Sequence, residues 1–191
     1  AGAAPVAPGE PRPRAFQRGI CYAHAYNLDY GYASAASGDN LRYLRDRLHV
    51  NAISISPFGY IRGATDPHIQ CPYRMRGQGR MGEENDESLI ACTQMAHALG
   101  QSVMLAPHLW GRVWCGDWHA EDEAGWVVLF DEYRRFILHY AAVAEYAGCD
   151  ALLIGKELGG TSGREAEWRA LVAAIRRVYD GPLVYDANWN E

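Results

Sequence analysis

The chain has 191 residues, of which 49% are hydrophobic and 21% charged, and its formal net charge is −5. This length suits one well-buried domain. The sequence has no apolar run of the ~18 residues that a membrane helix requires, so we expect no membrane partner. The negative charge and the lack of a concentrated basic patch argue against nucleic acid as a partner.

Residues 1–17 are rich in alanine and proline and show no apolar periodicity. They predict a flexible leader, which leaves residues 18–191 as the folded domain. Such a start is typical of the mature end of an exported protein, so we expect a secreted or periplasmic location. The five cysteines have no zinc-like spacing, and neither a metal nor a cofactor is expected. Cys71 and Cys115 fall in long loops at the same end of the predicted sheet. They either form a disulfide with each other or remain two free thiols.

Strands and helices alternate along the remaining chain, with long loops after the strands and short glycine turns before them. The strand patterns cover residues 18–24, 50–57, 102–108, 150–154 and 183–187. The long loops follow the strands at residues 58–84 and again after residue 108.

Four amphipathic helices separate these strands. We expect Asp39 and Asn85 to cap the first two, and the third to run from residue 127 or 131 to Gly148. Ser162 and Glu165 have the spacing of a capping box for the fourth helix.

This repeated order predicts a parallel sheet covered by helices. An open doubly wound sheet and a (β/α)8 TIM barrel both fit it, although no GxGxxG motif follows the first strand. A barrel typically needs ~250 residues, so the chain would supply about strands 1–5 and helices 1–4. We therefore expect a fragment whose barrel is completed by a missing C-terminal half or by another chain. A complete five-stranded open sheet is the alternative.

The fourth strand ends in the segment GKEL, where Lys156 and Glu157 follow a nearly all-apolar run. Ligands and catalytic side chains lie at the carboxyl ends of strands in parallel sheets. Glu157 is therefore a candidate general acid/base. A salt bridge at the rim, between Glu157 and Lys156 or an arginine, is the alternative reading.

Aromatic residues are frequent, with 12 tyrosines and 6 tryptophans, and several fall in predicted loops. Rings in such loops usually stack on flat ligands such as sugars or bases. Besides Lys156, the candidate substrate-binding residues at strand ends are His24, Tyr60, His108, Trp110, Trp114, Trp118, Asp186, Asn188 and Trp189. Core packing within a folded loop is the alternative for the tryptophans.

His24, His108 and Asp186 end three different strands, which raises the alternative of a metal-dependent barrel hydrolase. The first strand lacks the HxH pair usual in such enzymes and reads Tyr-Ala-His-Ala around His24. A carbohydrate-binding or degenerate barrel module without turnover is a further alternative.

Taken together, four segments resemble glycoside hydrolase family 113. These are IGKEL after the fourth strand, GPLVYDANWNE at the fifth, VNAISISPFGY at the second, and SVMLAPHLWG at the third with a following GDW. The resemblance covers residues 18–191. It implies part of a (β/α)8 barrel and a retaining β-mannanase, with the acid/base after strand four and the nucleophile after strand seven.

Carried onto this sequence, the resemblance assigns the acid/base role to Glu157 and places the nucleophile beyond residue 191. Glu191 is a weaker candidate for that second carboxylate. Related enzymes of the wider clan have asparagine just before the acid/base, and this chain has Lys156. Because a close ammonium group would favour the ionised carboxylate, we expect Lys156 to point away from Glu157. The expected partner is a polysaccharide or oligosaccharide of the β-1,4-mannan type.

Overall fold

The computed structural model describes residues 16–24, 30–71, 84–189 and 191. The predicted leader, residues 1–17, lies outside this part of the chain except for its last two residues. The helices are α1 (Ala35–Leu48), α2 (Asp86–Ala98), α3 (Glu123–Ala147), α4 (Gly159–Ser162) and α5 (Glu165–Ile175). The strands are β1 (Gly19–Tyr22), β2 (Ala52–Ile55), β3 (Phe58–Ile61), β4 (Ser102–Leu105), β5 (His108–Gly111), β6 (Ala151–Lys156) and β7 (Leu183–Asp186).

Five strands form the main sheet in the order β1-β2-β4-β6-β7, and every neighbouring pair is parallel. These are the five strands that the sequence predicts, here called barrel strands one to five. The expected position of the first and last strands at the edges is also confirmed. All carboxyl ends of the sheet therefore lie at one end of the fold, where the long loops begin.

The strand pattern continues past the predicted ends of the second and third strands. Pro57 and Pro107 interrupt them, because proline has no N–H to donate to a ladder. The backbone then resumes as β3 and β5, which form a separate parallel pair in the register Phe58↔His108. The segment after Phe58 and the segment after His108 therefore begin as strands, where the sequence predicted loops.

Two of the predicted helix starts need correction. Ser34 caps α1 by accepting a hydrogen bond from the N–H of Ser37, so the helix begins before the predicted cap at Asp39. Asp122 caps α3 by accepting from the N–H of Gly125, upstream of the predicted start at 127 or 131. In both cases a short polar side chain accepts a hydrogen bond from a backbone N–H of the first helical turn. The helix therefore begins at least one turn before the apolar stripe that the sequence shows.

Of the three other predicted helix ends, two are confirmed and one is wrong. Asn85 caps α2 by accepting from the N–H of Ser88, as predicted. The capping box is wrong, because Ser162 belongs to the short helix α4 and α5 begins after Arg164 without a side-chain cap. Gly148 ends α3 in the left-handed conformation, as predicted.

Helix α3 supplies much of the core beneath the sheet. Phe136, Ile137 and Tyr140 are fully buried against strand residues that include Leu105 and Leu152. Burying side chains of this size stabilises a fold by ~1.5–3 kcal/mol each. None of the helices described here is long and apolar enough to cross a membrane.

The opposite face of the sheet is open. A hollow of about 990 Å³ lies along it, bordered by residues of all five strands, from Ile20 on β1 to Val184 on β7. Both of these apolar residues are more than one third exposed. The described sheet is therefore an open arc of parallel strands.

All five cysteines are free thiols. Cys71 and Cys115 are among them and are buried as thiols, so the disulfide considered from the sequence does not form. Cys115 instead contacts the end of β6, where its sulfur lies 3.8 Å from the carbonyl oxygens of Lys156 and Glu157.

The pairing of β3 with β5 depends on a glycine. A Cβ atom at Gly111 would lie 2.2 Å from the backbone carbonyl oxygen of Ile61, whereas a Cβ at Gly163 would meet nothing within 4 Å. We expect Gly111→Ala to lower the free energy of unfolding by about 1–3 kcal/mol, because the neighbouring strand must move. Gly163→Ala should change it by less than about 0.5 kcal/mol. Urea unfolding of both variants measures this, and equal midpoints would contradict the close approach.

Candidate active site

Glu157 is the first residue after β6, at the carboxyl end of barrel strand four. Its backbone has φ 53°, a left-handed conformation that residues other than glycine rarely adopt. The N–H of Glu157 donates to the carbonyl oxygen of Asp186 at 2.8 Å, which holds the residue against the end of β7. The chain therefore turns sharply here and presents the carboxylate at the end of the sheet.

The carboxylate of Glu157 contacts an indole. The Nε1–H of Trp114 donates to Oε2 of Glu157 over 3.4 Å, a long hydrogen bond. The carboxylate has no lysine or arginine within 4 Å among the described residues. The rim salt bridge considered from the sequence is therefore absent, and Glu157 is half-buried with one described polar partner.

Lys156 points to a different carboxylate. Its Nζ atom lies 3.4 Å from Oδ2 of Asp186, on the neighbouring strand β7. Both side chains are about one third exposed or more, so this pair contributes at most about 1 kcal/mol to stability. The expectation that Lys156 turns away from Glu157 is confirmed, because its ammonium lies on Asp186, next to a bulge in the β6–β7 ladder.

His108 begins β5 beside this group. Burial, with a smaller contribution from the ammonium of Lys156, lowers the pKa of His108 from 6.5 to about 4. Its Nδ1 atom is buried and has no hydrogen-bond partner among the described residues. The ring also makes an edge contact with Phe58 at 5.7 Å between centroids. His108 is thus a neutral imidazole whose buried Nδ1 has no described hydrogen-bond partner.

Tyr185 and Glu191 complete the carboxyl end of β7. The hydroxyl of Tyr185 donates to Oε2 of Glu191 at 2.6 Å and accepts from the N–H of Leu158 at 3.3 Å. The other oxygen of Glu191 accepts from the N–H of Asn188. Burial raises the pKa of Tyr185. Glu191 is therefore a carboxylate with two local partners that tie the last loop to the segment after Glu157.

Sequence reasoning singled out neither Tyr185 nor Cys115 as part of this site. The thiol of Cys115 lies beneath the backbone of Glu157, and burial raises its pKa to about 11. Tyr185 lies on a strand that the sequence did predict, one residue before Asp186. The segment YDANWNE, in which several polar residues follow a strand, was the available signal for Tyr185.

Two predicted sugar-binding residues are buried. Trp118 has no exposed surface, and its Nε1–H donates to the carbonyl oxygen of Asp66 at 2.8 Å. The side chain of His24 is 2% exposed and pairs with Glu84, which also accepts from the N–H of Phe58. Neither side chain has surface for a sugar, so both predictions are corrected: Trp118 packs the core, and His24 and Glu84 tie β1 to β3.

The other predicted aromatic residues line the surface at the same end. Trp110 is 59% exposed and Trp189 is 92% exposed. Tyr60 is opposite Trp110 in the β3–β5 register, and the two rings border one cleft. Asn188 is half-buried, and its side-chain oxygen accepts from the N–H of Trp189. The structure therefore places these residues where a bound chain could contact them.

The residues that suggested a metal site do not form one. His24 pairs with Glu84, and Asp186 pairs with Lys156. Within the described ranges, no three histidine, cysteine or acidic side chains come together as a metal-ligand group.

The site thus has the half-buried carboxylate of Glu157 at the end of a parallel strand, with the Trp114 indole on it and the Lys156–Asp186 pair nearby. Solved structures have the same fold. The β-mannanase AaManA from Alicyclobacillus acidocaldarius, in complex with ManMIm, is 26% identical over 90% of this chain, with a TM-score of 0.75. Another family 113 β-1,4-mannanase is 25% identical over 84% of the chain, with a TM-score of 0.71. A third, solved as a complex, is 22% identical over 90% of the chain, with a TM-score of 0.74.

These likenesses define the fold as part of a (β/α)8 barrel. The model of Glycoside Hydrolase Family 113 matches residues 23–191, and the chain belongs to that family. The chain spans 53–56% of the length of the solved mannanases that it matches. Comparison with curated protein sequences gives no match.

The low pKa of His108 predicts a pH-dependent stability. Between pH 6.5 and about 4 the unfolded chain binds a proton at this histidine that the folded chain does not bind. The free energy of unfolding should therefore fall as the pH falls through this window, by up to about 3 kcal/mol from His108. In His108→Gln this contribution should vanish. Urea unfolding at several pH values measures the difference, and parallel wild-type and variant curves would contradict it.

Proposed function

We propose that the whole protein is a retaining glycoside hydrolase that cleaves β-1,4-mannan-type polysaccharide, with Glu157 as the general acid/base. The observation that carries the proposal is the position of Glu157, at the carboxyl end of barrel strand four with its carboxylate beside the Trp114 indole. Membership of glycoside hydrolase family 113 supports the reaction class. The solved relatives named as β-mannanases support the substrate class.

In the proposed reaction, the protonated carboxyl of Glu157 gives its proton to the oxygen of the leaving sugar. A second carboxylate attacks the anomeric carbon and forms a covalent glycosyl-enzyme intermediate. Glu157 then takes a proton from the water that hydrolyses this intermediate. The two carboxyl groups of such enzymes are about 5–5.5 Å apart.

We place the second carboxylate in the part of the barrel that this chain does not cover. Glu191 is the alternative within the chain, but both of its oxygens already accept hydrogen bonds, one from Tyr185 and one from Asn188. Turning Glu191 toward a sugar would break both. The Trp114 indole remains as a donor that orients the Glu157 carboxylate for proton transfer.

Lys156, Asp186 and His108 are proposed to bind the sugar hydroxyl groups around the scissile bond. The ammonium of Lys156 and the carboxylate of Asp186 form a partly exposed pair, and the half-buried His108 ring lies beside it. Trp110 and Trp189 supply exposed faces for stacking. A secreted or periplasmic location, where a polysaccharide is accessible, is part of the same proposal.

Glu157→Gln tests the acid/base role in the full-length enzyme. On unactivated mannan, turnover should fall by roughly 10²–10⁴-fold, because general acid catalysis supplies about that factor. On aryl glycosides with good leaving groups the loss should be smaller, since departure needs little protonation. Reducing-sugar release and aryl release measure the two rates, and an equal loss on both would remove Glu157 from the acid role.

The matched control is Glu165→Gln on α5, an exposed carboxylate paired only with Arg169 in the described structure. It should leave both rates unchanged. Mannan, glucomannan and xylan serve as parallel substrates. Faster release from xylan than from mannan would overturn the substrate class while leaving the mechanism in place.

The two tryptophans Trp110 and Trp118 should respond differently to truncation. Trp110→Ala removes an exposed ring, and we expect the affinity for a mannan oligosaccharide to weaken roughly thirtyfold, or about 2 kcal/mol. Trp118→Ala empties a buried site and should lower the free energy of unfolding by about 3–5 kcal/mol. Calorimetry and urea unfolding of both variants separate these effects. A stability loss at Trp110 without a binding defect would contradict the platform role.

A further inference from the structure

Two rows of side chains lie on one face of the β3–β5 pair. Tyr60 is opposite Trp110 in the register, and Arg62 and Arg112 are the residues that follow each strand by one position. Side chains two residues apart point to the same side of a strand. An aromatic row is therefore followed by a guanidinium row on the same face, and all four side chains line one cleft.

This cleft has a volume of about 430 Å³, and no acidic side chain is among the described residues that line it. Ile61, Gly111 and Gln70 form the rest of its lining. Trp110 presents its ring there with 59% of its surface exposed. The cleft therefore combines a stacking surface with two permanent positive charges and a side-chain amide.

The two arginines line one cleft, and no carboxylate among the described residues is in direct contact with either of them. Neighbouring strands are about 4.8 Å apart, and like charges at opposite positions destabilise a strand pair. Neither guanidinium forms an ion pair within 4 Å in the part of the chain that the structure describes. Arg62 is one cause of the lowered pKa of Asp66, whose Oδ1 accepts a hydrogen bond from the N–H of His68, so the two charges interact without forming an ion pair.

We propose that Arg62 and Arg112 bind the carboxylate of a uronic acid unit in the glycan, while Trp110 stacks on a sugar ring of the same chain. A planar carboxylate accepts two parallel hydrogen bonds from a guanidinium, and binding one between two arginines removes their mutual repulsion. Gln70 supplies an amide for the neighbouring hydroxyl groups. The subsite thus selects a glycan that carries acidic units.

The cleft is close enough to Glu157 for one oligosaccharide to reach both. Trp110 lines the cleft, and Trp114, four residues later, donates to the Glu157 carboxylate. Four residues span at most about 14 Å. The subsite therefore rests on the proposed function, and it adds a preference for acidic units at some distance from the cleaved bond.

Binding tests the proposal separately from turnover. The full-length protein carrying Glu157→Gln is titrated by calorimetry with a β-1,4-linked mannose oligosaccharide and with the same oligosaccharide oxidised at C6 of one unit to mannuronic acid. Each unit is oxidised in turn. A third ligand carries a sulfate on that C6 oxygen. The three ligands differ only in the group that would meet the arginines.

We expect at least one oxidised isomer to bind about tenfold more tightly than the neutral oligosaccharide at low salt, and high salt should remove most of this preference. Arg62→Gln or Arg112→Gln should abolish it, and either arginine changed to lysine should retain part of it, because lysine keeps the charge but not the planar fork. The control Arg169→Gln, an exposed arginine on α5, should keep the full preference.

Equal affinities for the neutral and oxidised ligands would overturn the proposal, as would a preference that survives in both glutamine variants. Tighter binding of the sulfated ligand than of the carboxylated one would overturn the assignment to a uronic acid. If the wild-type protein does not hydrolyse mannan but still binds the oxidised oligosaccharide more tightly than the neutral one, the proposed mannanase activity is refuted and the subsite is supported.

Discussion

The parallel pairing of β6 with β7 positions Glu157 and the Lys156–Asp186 pair beside it. Its ladder shifts register between Leu153 and Gly155, so that Gly155 is opposite Tyr185 and Lys156 is opposite Asp186. A bulge of this kind bends a strand and redirects the side chains that follow it. The Lys156–Asp186 pair and the N–H of Glu157 on Asp186 both follow from this shift.

Gly155 makes that pairing sterically feasible. A Cβ atom there would lie 2.7 Å from the ring of Tyr185 and 2.8 Å from the ring of Trp168. Without a side chain at this position, the Tyr185 ring packs across β6, and its hydroxyl reaches the N–H of Leu158 on the far side of Glu157. The glycine in GKEL therefore serves the packing around the Glu157 carboxylate.

Much of this fold follows from local patterns in the sequence. The apolar runs gave five parallel strands in the correct order, and Asn85 and Gly148 marked a helix start and a helix end correctly. The doubled strands were missed because Pro57 and Pro107 resemble ends, and only their alignment in neighbouring strands lets the ladder resume beyond them. That alignment is a tertiary property that no local window contains.

Some residues of the candidate site could be predicted from the sequence, and others could not. A carboxylate directly after a buried strand is visible in the sequence, so Glu157 and its neighbours Lys156 and Asp186 could be chosen from position alone. The tryptophans after strand three could not be separated in this way. Trp110, Trp114 and Trp118 fall in one predicted loop, and only the folded structure shows that Trp118 is buried while the other two are exposed.

The backbone of Glu157 shows how this site is held. A left-handed residue with a side chain costs about 1–2 kcal/mol, and such strain persists only where the surroundings enforce it. Here the surroundings are the N–H bond to Asp186, the Cys115 thiol beneath the carbonyl oxygen, and the Trp114 indole on the carboxylate. Because these contacts come from β7 and from the loop after β5, the carboxylate is oriented before a ligand binds. Such fixed orientation is what the proposed role of Glu157 as a proton donor to a leaving oxygen requires.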